Sequence, residues 1–157
     1  MTIGRLEKIV SSMPRGRLLG LDVGQKTIGF ALADTESRVA TPLGTLRRTK
    51  FTQDVIYISK LVKEYEIKGF ILGYPLNMDG SEGPRCQSIR NFAEELLKQP
   101  GMPQWAALWD ERLSTAAVEQ FVDNFTNLKQ RKAKERGIID KLAAQHILQG
   151  ALDSFVR

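Results

Sequence analysis

Three acidic residues in three different settings carry the first hint of chemistry. Asp22 closes the apolar run Leu18-Leu19-Gly20-Leu21 and is followed by Val23-Gly24. Glu111 follows a second apolar run, Trp105 to Trp109, inside Asp110-Glu111-Arg112. Asp140 opens a strongly apolar helical pattern near the C-terminus. Acids at strand ends and at a helix start can converge on one point. Converged carboxylates repel one another unless a cation sits between them. Hard oxygen donors of this kind suit Mg²⁺ or Mn²⁺.

Composition narrows the partners of such a site. The 157 residues suggest one domain with an ordinary core, being 42% hydrophobic and 26% charged. Lys plus Arg is 23 against 18 Asp plus Glu, a net charge of +5, which favours a polyanion such as nucleic acid. The single Cys86 cannot close an internal disulfide, which fits a reducing cytoplasm. There is no apolar run long enough for a membrane span and no signal-peptide pattern, so the expected location is cytoplasmic.

The elements that must position the acids follow from periodicity. Leu18–Val23, Thr27–Asp34 and Val39–Leu46 read as strands, the first two joined by the hairpin-length Gly24-Gln25-Lys26. Pro42 suits an edge or a bulge. Gly69–Gly73 and Gln104–Asp110 read as two further strands. Phe51–Tyr65 and Pro84–Lys98 have helical spacing, with Pro84 suited to a first turn. Ser114 can cap a helix to about Phe125, and Ile138–Phe155 is the last helix, with Ala144, Ile147, Leu148, Ala151, Leu152 and Phe155 on one face. The expected fold class is α/β: a mixed five-stranded sheet, an antiparallel three-stranded meander followed by parallel strands, with helices on both faces. Residues 1–17 read as a flexible leader, mobile or loosely docked, and 18–157 as the domain.

At this point the motifs assemble. Gly20-Leu21-Asp22-Val23-Gly24-Gln25-Lys26-Thr27-Ile28-Gly29, Gly73 to Gly83, Asp110-Glu111-Arg112-Leu113-Ser114-Thr115 and Asp140-Lys141-Leu142-Ala143-Ala144 with Ile147-Leu148-Gln149 resemble, in order, the motifs of the YqgF/RuvX family. The resemblance covers Leu18 to Asp153. It implies an RNase H-like fold. It also implies a nuclease, acting on the 5′ end of precursor 16S ribosomal RNA or, alternatively, on branched DNA as a Holliday junction resolvase. Three departures stand out: Gln25 where Thr is usual, His146 in a stretch usually more apolar, and a longer leader.

The resemblance makes Asp22, Glu111 and Asp140 the catalytic acids and the ligands of Mg²⁺ or Mn²⁺. The implied reaction is phosphodiester hydrolysis, with water attacking phosphorus in line. Plainer readings stand beside these roles. Asp22 fits a turn before Gly24 or the first phosphate loop of actin-like ATPases, which need a second copy of the fold. Asp140 fits a helix cap. Neighbours Asp110 and Glu111 point to opposite faces, so only one can join Asp22.

Substrate contacts are expected from Lys26, Asn77, Arg85 and Arg112, and from Lys129, Arg131 and Lys132 in a basic run before Asp140. Lys26 equally fits a solvated hairpin, the Asn77–Arg85 loop a flexible surface segment, and the basic run a solvated face. Arg47, Arg48 and Lys50 are weaker candidates. His146 and Asp153 fall outside the site, and Trp105 and Trp109 read as core. The expected partner is nucleic acid, precursor rRNA ahead of branched DNA. The chain is expected to be a monomer or weak homodimer. A non-catalytic RNA-binding assembly factor is the rival class.

Overall fold

The computed structural model describes residues 1–111 and 132–155. Its strands are β1 (Thr2–Arg5), β2 (Arg17–Val23), β3 (Thr27–Asp34), β4 (Thr41–Arg47), β5 (Ile67–Tyr74) and β6 (Trp105–Asp110). The helices are α1 (Leu6–Ile9), α2 (Phe51–Tyr65), α3 (Pro84–Leu97) and α4 (Lys132–Ser154). One sheet runs β1-β6-β5-β2-β3-β4. β2, β3 and β4 form the antiparallel meander, and β2, β5, β6 and β1 are parallel. The mixed α/β architecture is therefore the expected one, with Pro42 at the edge strand's register shift.

Among the described residues the sheet has six strands, not five, because the leader contributes β1. Thr2 pairs with Trp105 and Ile3 with Ala106. Leu6 is buried, with Ile9, Val10 and Met13 packed around its cluster, and the Trp105 indole N–H donates to Ser12 Oγ at 3.0 Å. The leader docks for a physical reason. Without it, β6 would be an edge strand with open N–H and C=O groups, beside apolar leader residues that want cover.

The start of the last helix also differs. It runs from Lys132, not Ile138, through residues of good helix propensity. Asp140 therefore lies more than two turns inside α4, which removes the helix-cap reading. The expected helix from Ser114 lies outside the described residues.

Alternation in the strands sorts the side chains onto two faces. Leu19, Leu21, Phe70, Leu72, Ala106 and Leu108 pack with Ile58 of α2 and Phe92 and Leu96 of α3. Leu18, Ala31, Ile71 and Ala107 pack with Ala144, Ile147, Leu148 and Ala151 of α4. By the same parity Gly20, Asp22, Gly29 and Gly73 belong to the α4 face.

Candidate active site

The parallel strands β2, β5 and β6 all end at one edge of the sheet, where side chains from different strands can meet beyond the hydrogen-bonded ladder. Asp22 stands one residue before the end of β2, opposite Gly29 of β3. Glu111 follows β6, and its N–H donates to the Tyr74 carbonyl at 3.2 Å, extending the strand pairing by one step. Asp110 pairs with Tyr74 and takes the α2/α3 side, so Glu111 takes the side of Asp22.

Asp140 comes from the inward face of α4, in register with Ala143, Ala144, Ile147, Leu148 and Ala151. Two glycines make its approach possible. A methyl group at residue 29 would overlap the Asp140 carbonyl. A methyl group at residue 73 would overlap Glu111 Oε1 and crowd Ile147 Cδ1 at 2.6 Å. Interior strand glycines mark close approach of other groups, and that signal was present in the sequence. Polar contacts hold the helix in place. Thr45 Oγ1 donates to the Gly137 carbonyl at 2.8 Å, Gln145 Nε2 to Ala40 O at 3.0 Å, and Ala40 N–H to Gln149 Oε1 at 2.9 Å.

The electrostatics tie the acids together. Burial pushes the Asp22 carboxyl up to about 6, with the negative charge of Asp140 adding and Arg85 pulling it back. Burial pushes Glu111 up to about 7, with Asp22 adding, Arg85 opposing and Asp110 adding a little. Arg85 is thus the cation facing both Asp22 and Glu111, and its Nη2 reaches the Val23 carbonyl at 3.5 Å. Among the described residues, no three Asp, Glu, His or Cys side chains are grouped tightly enough to enclose a metal ion. The triad expected from sequence is therefore an open arrangement, with Asp22 coupled to Glu111 on one side and to Asp140 on the other. The donor chemistry, three carboxylates at the edge of a buried face, still fits a hard divalent cation.

The remaining expected residues divide. Lys26 is exposed in the β2–β3 hairpin, and its carbonyl accepts from Arg48 N–H. Asn77 donates to Ser81 Oγ at 2.9 Å, Asn77 N–H bonds the Ser81 carbonyl, and Gly80 adopts a φ of 90°. The loop is a hydrogen-bonded turn, not a slack segment, with Met78 80% exposed at its tip. Arg112, Lys129 and Arg131 lie outside the described residues, as does the side chain of Lys132. His146 is exposed, Trp105 is buried, and Cys86 is buried with its Sγ near the Pro75 carbonyl.

Sequence reading underrated two groups. Arg48 donates to the Gly24 carbonyl at 2.6 Å, pairs with the buried Asp54 at 3.7 Å and lies 5.3 Å over the Phe92 ring. It fixes the hairpin behind Asp22, and nothing in Arg47-Arg48-Thr49-Lys50 sets it apart from its neighbours. Arg90 Nε donates to the Tyr74 hydroxyl at 2.7 Å, and Glu82 bridges Arg90 at 3.5 Å and Arg5 of β1 at 3.9 Å. Burial and the bond to Glu82 push the Tyr74 hydroxyl up to about 12, while the same bond holds Glu82 below its usual value. These residues come from four separate segments, so no local pattern joins them.

A mixed sheet of this order, with acids gathered at the carboxyl edge of its parallel strands, is the RNase H-like architecture of the RuvC-type resolvases. RuvC of T. thermophilus, solved with a Holliday junction substrate, superposes with a TM-score of 0.51 at 13% identity, over 88% of this chain and 94% of that one. The fowlpox virus resolvase, solved with junction DNA, gives 0.52 at 12% identity, over 90% and 99%. At these identities the likeness is one of fold. The family model RuvX, described as Holliday junction resolvase, matches residues 16–154, and the chain belongs to that family. Relatives bear the name "Putative pre-16S rRNA nuclease". One from Rhodospirillum centenum is 47% identical, covering 98% of this chain and 82% of its own length. One from Paramagnetospirillum magneticum is 48% identical, covering 94% and 92%. Both descriptions are of nucleases, and the family is a nuclease family.

Proposed function

We propose that this chain is a metal-dependent nuclease that hydrolyses phosphodiester bonds at the 5′ end of precursor 16S ribosomal RNA. The observation that carries the reading is the meeting of Asp22, Glu111 and Asp140 on one face at one sheet edge, with Arg85 facing the first two. Asp22 and Glu111 are the central ligands of Mg²⁺ or Mn²⁺, and Asp140 completes the set. When bound, the cation stabilises the charge developing on the attacking and leaving oxygens.

The chain's own groups do the rest. Strand ends hold Asp22 and Glu111 rigidly, so a phosphate meets prearranged donors. Arg85, beside the acids, is placed to donate to the non-bridging phosphate oxygens. Lys26, exposed on the hairpin, steadies the charge of the pentavalent transition state. Asn77 keeps the 77–81 turn in shape beside the substrate path. Arg112, Lys129, Arg131 and Lys132 supply backbone contacts. The nucleases named among the relatives support ribosomal RNA as substrate, and a cytoplasmic setting is proposed with it. No helix among the described residues is long and apolar enough to cross a membrane. The protein acts as a monomer or weak homodimer.

The second reading is a resolvase of branched DNA, favoured by the family description and by the resolvase fold. Cleavage of labelled precursor 16S ends and of a four-way DNA junction with Mn²⁺ separates the two. Asp22→Asn is expected to lower turnover by roughly a thousandfold or more, as loss of a principal charge-stabilising group does, while RNA binding persists. Junction cleavage alone would promote the resolvase. An inert wild type that still binds RNA would favour a non-catalytic assembly factor.

A further inference from the structure

Behind the acids, across the sheet edge, lies a cleft of about 400 Å³ that shares only Arg85 with the reaction as described. It opens between the β2–β3 hairpin, the connection from β4 to α2 and the first half of α3. Val23, the residue after Asp22, forms part of its wall, with Gly24 beside it. Arg85, Ser88 and Phe92 line it from α3 at helical spacing, and Arg48 and Thr49 line it from the other side. Its described lining holds two guanidinium groups and no carboxylate.

Arg48 is held for this place as few surface arginines are. The Gly24 carbonyl takes one N–H at 2.6 Å, the buried Asp54 faces Nε at 3.7 Å, and the Phe92 ring lies beneath the guanidinium plane. Asp54 is itself held by Thr49 N–H at 3.1 Å. A guanidinium already held by Gly24, Asp54 and Phe92 loses less side-chain entropy on meeting a phosphate than a free one would, and its planar fork suits that ligand. Arg85 bridges the cleft and the acids, because it faces Asp22 and Glu111 and also lines the cleft wall.

We infer that this cleft is a second phosphate subsite, which takes a phosphodiester group of the same strand adjacent to the scissile one. Arg48 supplies the charge and N–H donors, the hydroxyls of Ser88 and Thr49 complete the shell, and Arg85 stands at the boundary between this phosphate and the scissile one. The inference rests on the nuclease reading for the strand that enters. The subsite itself is a matter of binding and needs no turnover.

The test is binding of a short labelled single-stranded RNA by fluorescence anisotropy, with EDTA present and salt varied. Ser88→Glu and Thr49→Glu each place a carboxylate in the cleft from an exposed position. Each is expected to weaken binding by about tenfold and to lower the salt slope by about one, as loss of one phosphate contact requires. Lys60→Glu, exposed further along α2, changes the net charge more but is expected to change binding by less than about threefold, since the Debye length is roughly 8–10 Å. Wild-type binding by both cleft variants, with unaltered melting temperatures, overturns the subsite. So does a loss in Lys60→Glu equal to theirs, or an absence of RNA binding by the wild type. Cleft-dependent binding without cleavage of any substrate would instead overturn the nuclease reading and leave the subsite standing.

Discussion

Toward α2 and α3 the sheet presents Leu19, Leu21, Phe30, Phe70 and Leu72, while toward α4 it presents Gly20, Gly29, Gly73, Ala31 and Ala107. The first face is filled by large side chains that interlock with Ile58, Phe92 and Leu96. The second also carries Leu18 and Ile71, but at residues 20, 29 and 73 it is cut down to backbone, so that there α4 and Glu111 come close against the strands. A residue-20 Cβ would meet Leu148 Cβ at 2.9 Å. Bulk stabilises through buried apolar area. Closeness gives up some of that area and in return places a helical carboxylate beside a strand-end carboxylate. One face is therefore built mainly for stability and the other for the position of Asp140.

The sharpest way to break that contrast is Gly29→Ala. The added methyl meets the backbone of Asp140, which cannot rotate away, so α4 must shift. Turnover is expected to fall about a hundredfold, as small displacements of catalytic groups do, and stability by about 1–3 kcal/mol. Steady-state kinetics with a denaturant titration reads both, and near-normal turnover would refute the placement argument. The counterpart is Leu96→Ala on the other face. It is expected to cost about 3 kcal/mol of stability and leave turnover of the folded protein within about twofold. A comparable catalytic loss there would erase the distinction between the faces.

The acids on the α4 face predict a pH effect that the other face does not share. Asp22 and Glu111 titrate at about 6 and about 7, above their ordinary values of 3.8 and 4.5. The folded chain therefore favours their protonated forms, so their contribution to stability is full below about pH 4 and is lost as pH rises through 6 to 7. Without divalent ions the protein should be more stable near pH 5 than near pH 8, by about 2–4 kcal/mol, with a correspondingly higher melting temperature. Asp22→Asn should flatten the trend, and Mn²⁺ at about pH 8 should raise the melting temperature. A wild-type profile identical to that of Asp22→Asn would rule out the coupling. The smallest effect is expected at the seam between the faces. Arg5→Ala loosens the Glu82 bridge between β1 and the site loop, at a cost below about 1 kcal/mol because the pair is long, at 3.9 Å, and partly solvated. A loss of several kcal/mol would mean that β1 depends on that tie and not on its pairing with β6.

The chain spelled out most of its sheet. Alternation and short turns place β2 through β6, and the parity of Asp110 and Glu111 follows from the strand repeat alone. The leader was misread because pairing depends on which strand lacks a neighbour, and β6's open edge is a property of the assembled sheet. The start of α4 was misread because a polar, basic stretch has no apolar stripe to mark it as helix, although its propensity allows one.

Residue types named Asp22, Glu111 and Asp140 as acids worth watching, since hydrophobic runs ending in carboxylates are local features. Their meeting is not local. It depends on parallel strands ending at one edge, and on glycines at 29 and 73 that let α4 and Glu111 come within reach. Arg48 and Arg85 show the same division. Sequence supplies two arginines among many, and only tertiary packing fixes one on Asp54, Gly24 and Phe92 and turns the other toward the acids.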